Sequence, residues 1–427
     1  MSGVNAGVAI VGGGWAGLAC AVDLSAAGVP VRVFEAARQL GGRARRVDIA
    51  GHALDNGQHL LLGAYRETLR IMRRSGADPE RLLRRLPLEL VYPHQGFRLR
   101  LPRLPAPLHL AIGLLTARGG PPGEKLAAAR FIHALRAGGY RLAEPLTVAG
   151  LLDRHRQRGN LRRLLWEPLC LAALNTAPEH ASAQIFANVL RDGLDGAREN
   201  SDLLLPQADL GRVFPDAAAR FIGAHGGEIR LSTRVGQIAQ LTGNGGKFAH
   251  VVIATAPRQA AELLREAPET RAIAALLDSY RYEPVGTVYL AYPEEIRLPS
   301  PMFGLCGPLG QWVFDRGPPG GASTIVACVL SAQGVWDTHD NESLAAALHG
   351  ELQQTLGRAL PDPDWRRVIR ERHAAFSCRP GLPRPPAKTA RPGLWLAGDY
   401  VYADYPATLE SAVRSGCHVA REILDAR

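Results

Sequence analysis

The sequence predicts an α/β fold in two domains, and three observations carry that prediction. An apolar strand-like run, "VAIVG", leads through glycines into the helical "WAGLACAVDLSAAG" and then a second strand-like run, "VPVRVFEA". Nearly four hundred residues later another short apolar run, "GLWLAGD", ends in Gly398-Asp399. The chain is 427 residues long, more than a single hydrophobic core usually supports. Together these describe a Rossmann-type domain closed by distant parts of the chain, with a mixed α+β domain inserted into it.

The opening run has the order that dinucleotide binding requires. Gly12-x-Gly14-x-x-Gly17 follows the first strand and opens the helix, and Glu35 ends the second strand 18 residues beyond Gly17. Gly12 permits the tight turn. Gly14 lets the backbone approach a pyrophosphate, with Trp15 and Ala16 opening the helix beside it. The positive end of that helix favours the phosphates. Gly17 allows close helix–strand packing, and Glu35 can accept hydrogen bonds from ribose hydroxyls.

The next segment, "RQLGGRARR" (Arg38 to Arg46), resembles the glycine–glycine–arginine element of the amine oxidase and phytoene desaturase superfamily of flavoproteins. The resemblance implies a fold of the amine oxidase and glutathione reductase type, close approach at Gly42, and phosphate binding by Arg43. It also implies that "GLWLAGD" brings Gly398 and Asp399 to the ribityl chain of FAD, where an ionised acceptor makes charge-assisted hydrogen bonds. A helix expected to begin near Pro406 places Thr408 and Leu409 at its start, with Glu410 and Arg414 four apart on one face. Its unpaired amides can face the flavin edge that gains negative charge on reduction. "GGEIRLSTRVGQI", with Val235, resembles the strand near the adenine, and "FAHVVIATAP" resembles the return strand. The cofactor is therefore read as FAD. The FAD domain is expected at 1–75, 206–265 and 370–427, and the substrate domain at 76–205 and 266–369.

"LDNGQHLLLGAY" (Leu54 to Tyr65), "WEPLCLAALNT" (Trp166 to Thr176) and "YPATLESAVRSG" resemble, in order, the hydroxysqualene dehydroxylase family of bacterial hopanoid synthesis. The resemblance spans nearly the whole chain. It implies FAD-dependent reductive removal of the hydroxyl of hydroxysqualene, giving squalene, with an electron donor that the sequence does not name. A C30 isoprenoid needs a long apolar tunnel, and "LLWEPLCLAAL" and "AQIFANVL" offer apolar helices for one. Loss of an allylic hydroxyl needs a proton donor beside the flavin and few competing waters. His59, Asp404 and Tyr405 are the candidates, because each stands in a segment expected beside the flavin. Asp55 is expected to support the turn into Gly57 and Gln58, whose backbone lies against the ring.

Two other readings share these motifs. A carotenoid or phytoene-type desaturase runs in the opposite redox direction, and a non-catalytic prenyl-group carrier uses a related fold. Lysine-assisted amine oxidation is disfavoured, because the strand-like "EPVGTVYLAY" has no lysine. Lys125, Lys247 and Lys388 all sit in loop-like stretches. The six cysteines are scattered without metal-binding spacing, so no metal is expected and the thiols read as reduced. Net charge is +10, yet the basic residues show no nucleic-acid motif. They cluster in Arg66 to Leu86, ahead of an apolar stretch, Leu104 to Thr116, a combination suited to peripheral membrane contact. No apolar run reaches the about 18–20 residues of a bilayer span, and no signal peptide precedes the first strand. The expected location is the cytoplasm, on the cytoplasmic face of the inner membrane where the protein meets lipid.

Overall fold

A computed structural model of the protein describes residues 7–242, 248–305, 307–317 and 323–426. Lys247 and Cys306 lie outside them. Its first layer is a five-stranded parallel sheet in the order Glu228–Arg230, Val31–Phe34, Gly7–Val11, Phe248–Ile253, Leu394–Leu396. The central strand, Gly7–Val11, is buried along its whole length, as expected of parallel strands covered on both faces. The opening helix, Trp15–Ala26, is apolar nearly all round and buried from Trp15 to Ser25, because it lies between the sheet and the C-terminal helix, Leu409–Asp425. Small residues set that spacing. A Cβ at Gly416 would fall 2.1 Å from the Ala16 carbonyl oxygen, and one at Gly17 would fall 2.1 Å from the Gly12 carbonyl oxygen. Gly17 thus serves packing, as its place in the fingerprint implies.

A second five-stranded sheet is antiparallel, in the order Met302–Gly304, Trp312–Asp315, Thr324–Ser331, Tyr282–Tyr292, Trp365–Phe376. The short strands Leu61–Leu62, Leu203–Pro206 and Leu83–Leu86 form a third sheet. Helices that include Pro122–Ala137, Glu167–Leu174 and Ala183–Leu190 share one apolar core with the second sheet.

Four expectations about local structure change. The last helix starts at Leu409, not near Pro406, because Thr408 caps it and closes a reciprocal capping pair with Ser411. The strand expected around Val235 ends at Arg230. Beyond it the chain turns back onto the second strand, with the Ser232 and Thr233 amides donating to the carbonyls of Ala37 and Glu35. Lys125, read in a loop-like stretch, lies in the first turn of the helix Pro122–Ala137. The basic stretch Arg66 to Leu86 forms two helices, Arg66–Arg74 and Pro79–Leu82, followed by the strand Leu83–Leu86. Much of its charge is used internally. Arg70 and Arg74 both pair with Asp23, Arg73 with Glu80, and Arg85 with Asp202.

Candidate active site

One cavity of about 750 Å³ runs from the first two strands of the parallel sheet to the second, antiparallel sheet. At its polar end the wall is formed by Gly12, Gly14, Trp15, Ala16, Glu35, Gly42, Arg43 and Val235. Gly12 has φ +114° and Gly42 φ +62°, conformations that favour glycine. A Cβ at Gly14 would meet nothing nearer than the Gly42 Cα at 3.9 Å, so the space above the helix N-terminus is open. The Glu35 carboxylate accepts from the Gly13 and Ala37 amides, both at 2.7 Å. It retains lone pairs for further donors.

Further along the wall the two distant ends of the chain meet. The Arg43 guanidinium donates at 2.7 Å to Asp399 and at 2.8 Å to the Ala374 carbonyl. Burial opposes charge on Arg43, but the charge and hydrogen bond of Asp399 outweigh it and raise its pKa. Gly398, Thr408, Leu409, Gly57 and Gln58 line the same stretch. Asp55 and Asn56 set up the turn. Buried Asp55 accepts from the Leu210 amide at 2.7 Å and pairs with Arg316 at 3.2 Å, while burial lifts its pKa to about 6. The Asn56 side chain donates to the Arg43 carbonyl at 2.8 Å and accepts from the Arg45 amide at 3.0 Å. Glu410 pairs with Arg414 at 2.7 Å, as the spacing predicts. Its carboxylate also caps the helix Arg66–Arg74 through the amides of Glu67 and Thr68.

The donor set fits FAD. The open helix N-terminus with its left-handed glycines would give phosphates a cradle, and the Glu35 carboxylate would offer acceptors to a ribose. Thr255 Oγ1 and Gln58 Oε1 are buried without a protein partner in residues of this wall. Buried polar groups ordinarily have partners, and a bound polar molecule can supply them.

Two of the three proton-donor candidates reach the cavity. His59 is on the wall, with Nδ1 2.8 Å from the Gly57 carbonyl. Since a carbonyl only accepts, Nδ1 carries the proton and Nε2 is left as an acceptor. Burial lowers the His59 pKa below its ordinary value. The Gly57 bond works the other way, and the positive Arg43 and Arg316 add to the lowering. His59 is therefore neutral near pH 7, not the imidazolium that acid catalysis would need. Tyr405 is buried on the wall and its hydroxyl donates to Asp192. Asp404 is a correction: its side chain is exposed and is not part of the wall. Only its carbonyl is engaged, by Asn188 at 3.0 Å.

The sequence reading missed what surrounds these groups. The other arm of the cavity is apolar, with Leu88, Leu90, Leu169, Val189, Trp312 and Phe314 among its walls. These come from widely separated segments that share no motif. Thr287, on the strand Tyr282–Tyr292, accepts from the Gln58 amide at 3.4 Å. Asp192 was missed as well. Among the described residues, no lysine lines the cavity.

The model of the family described as "Flavin containing amine oxidoreductase" matches residues 15–424 of the chain. A protein named hydroxysqualene dehydroxylase from Rhodopseudomonas palustris is 29% identical over 440 residues, covering 98% of each chain. A chloroplastic/chromoplastic zeta-carotene desaturase from Arabidopsis thaliana is 22% identical, over 98% of this chain and 85% of that one. Among solved structures, a redesigned triple mutant of putrescine oxidase superposes with a TM-score of 0.74 at 17% identity, covering 99% of both chains. That likeness shows the fold alone. The glycine cradle, the Arg43–Asp399 junction and the family match agree: the chain belongs to the flavin-containing amine oxidoreductase family and is an FAD-dependent oxidoreductase.

Proposed function

We propose that the protein removes the hydroxyl of hydroxysqualene reductively, giving squalene and water. The observation that carries this reading is the apolar arm, which joins the cofactor wall and leaves a C30 hydrocarbon chain few polar groups to desolvate. The overall change adds a proton to the departing oxygen and a hydride to the carbon that held it. Reduced FAD, when bound, supplies the hydride, and an external donor restores its electrons. The chain's own residues hold the substrate and manage charge. Tyr405 is assigned to the leaving oxygen, as the candidate donor that is both protic and on the wall. His59 offers Nε2 as an acceptor. Gly12, Gly14, Glu35, Arg43, Val235, Asp399 and Thr408 are assigned to FAD.

The discontinuous domain division belongs to the same proposal, with one adjustment. The last junction was read at 370, and the pairing of the strand Trp365–Phe376 with Tyr282–Tyr292 supports one nearer 376.

The reading includes peripheral contact with the cytoplasmic face of the inner membrane, supported by the apolar stretch Leu104 to Thr116 more than by the basic one. No helix among the described residues is long and apolar enough to cross a membrane. The helix Leu108–Thr116 exposes Leu108, Ile112 and Leu115, with Leu104 before it and Leu126 beside it. Exposed Arg103 and Arg118 flank this apolar face, a pattern suited to anionic lipid.

The rival reading is a carotenoid desaturase, favoured by the zeta-carotene desaturase relative. The prenyl-carrier reading is set aside, because the family match is to flavin enzymes. Incubating reduced, FAD-loaded protein anaerobically with hydroxysqualene, and oxidised protein with phytoene, separates the two. Squalene from the first and no product from the second is the expected result. A more desaturated polyene from phytoene, with hydroxysqualene unchanged, would establish the rival.

A further inference from the structure

Asp192 puts a carboxylate on the wall of the cavity, with its side chain 22% exposed. It follows the helix Ala183–Leu190 in a widened turn, Arg191–Asp195, whose hydrogen bonds span five residues. Such turns displace side chains from the helical path and recur at functional sites. Here Asp192 joins the cavity wall between Leu190 and Gly193-Leu194, on the arm that Leu169 and Val189 also line. Its oxygens are held on two sides, one by the Tyr405 hydroxyl and the other by Arg191 Nε at 2.7 Å. Asn200 fixes its main chain by donating to the Asp192 carbonyl at 3.0 Å. The Arg191 side chain is 44% exposed, so its compensation is screened by water. A carboxylate on an apolar wall is costly unless something positive faces it.

We infer that Asp192 stabilises the positive charge that develops on the substrate as its hydroxyl departs. The inference rests on the proposed reaction. As the C–O bond breaks, the Tyr405 proton would turn from Asp192 to the departing oxygen, both bonding electrons would leave with the water so formed, and the carbon would carry positive charge until it gained the hydride that reduced FAD would supply. In the resting site the Tyr405 proton is directed at Asp192, so the carboxylate borders the place where that proton would pass to the departing oxygen. The carboxylate thus lies about two hydrogen bonds, roughly 5–6 Å, from the reacting carbon. At that range opposite charges attract appreciably even beside a partly wet wall. Asp192 is then a positioning residue that acts through Tyr405 and through space, without bonding to the substrate.

The test uses full-length, FAD-loaded protein and two probes: squalene, and a C30 analogue with a trialkylammonium nitrogen at the reacting carbon. Wild type should bind the ammonium analogue at least about tenfold more tightly than squalene. Asp192→Asn should bring that ratio close to one while squalene affinity and FAD content stay within about twofold, and Asp192→Glu should restore most of it. An unchanged ratio in Asp192→Asn would overturn the inference. So would an equal loss of both probes, which would assign Asp192 to packing. Turnover of hydroxysqualene by wild type is read separately. Its absence sinks the proposed reaction, while the binding ratio still reports on the charge at Asp192.

Discussion

In the cofactor arm Arg43 and Asp399 meet at 2.7 Å, Glu35 holds two amides at 2.7 Å, and Asn56 ties the loop of Arg43 from both sides. In the substrate arm Leu88, Leu90, Leu169 and Val189 offer shape and no hydrogen bonds, with Asp192 as a charged exception. The first arm is organised by local polar geometry, so short motifs announce it. The second is organised by packing between remote segments, and no short stretch announces that. Substitutions should therefore divide cleanly, those in one arm changing FAD binding and those in the other changing affinity for long apolar chains.

The largest effect is expected at the junction. Arg43→Ala leaves the buried Asp399 carboxylate without its partner, and breaking such a pair is strongly destabilising. Because Arg43 is itself about one-third exposed, the expected loss is about 2–4 kcal/mol in denaturant unfolding, with FAD lost on gel filtration. Retained FAD and unchanged stability would break the account of this arm. Next in size, Leu169→Asp should weaken squalene binding by about tenfold or more, through added desolvation, and leave FAD content intact. Loss of FAD in that variant would mean that the two arms are not separable.

Glu35→Ala removes an acceptor for two loop amides and, on the proposed assignment, for a ribose hydroxyl. A cofactor titration should show FAD binding weaker by about 1–3 kcal/mol, and unchanged affinity would remove Glu35 from the site.

The smallest effect belongs to His59, and its sign follows from its lowered pKa. A base depressed in the folded state contributes stability that is present above its ordinary value near pH ~6.5 and lost as pH falls. The unfolded chain takes up the proton first. Wild type should lose about one or two degrees of Tm relative to His59→Gln between pH 7.5 and pH 5.5. A gap of opposite sign would show that His59 is protonated in the fold.

The same contrast explains what could be read from the chain alone. Gly12, Gly14, Glu35, Arg43 and Asp399 stand in short motifs whose chemistry is local, and the folded chain gathers them on one wall. Gly17 was legible too, as a packing residue. Asp404 misled because adjacency to Tyr405 in sequence says nothing about side-chain direction in a turn. There the Tyr405 side chain is buried and that of Asp404 faces solvent. Asp192 escaped notice because "RDGLDG" matches no motif, and its widened turn emerges only from packing. The basic stretch Arg66 to Leu86 misled for a related reason. Its partners Asp23 and Asp202 are far away in sequence, so the charge of Arg70, Arg74 and Arg85 looked available when it was committed.

The central claim, that one cavity holds reduced FAD beside an allylic isoprenoid alcohol, is tested most directly by a single turnover. FAD-loaded protein is reduced without oxygen, mixed with hydroxysqualene, and followed by flavin absorbance and squalene content together. The account predicts that flavin is reoxidised and squalene appears in equal amounts, at the same rate. Flavin that stays reduced while the alcohol persists, or is reoxidised without squalene, would contradict it.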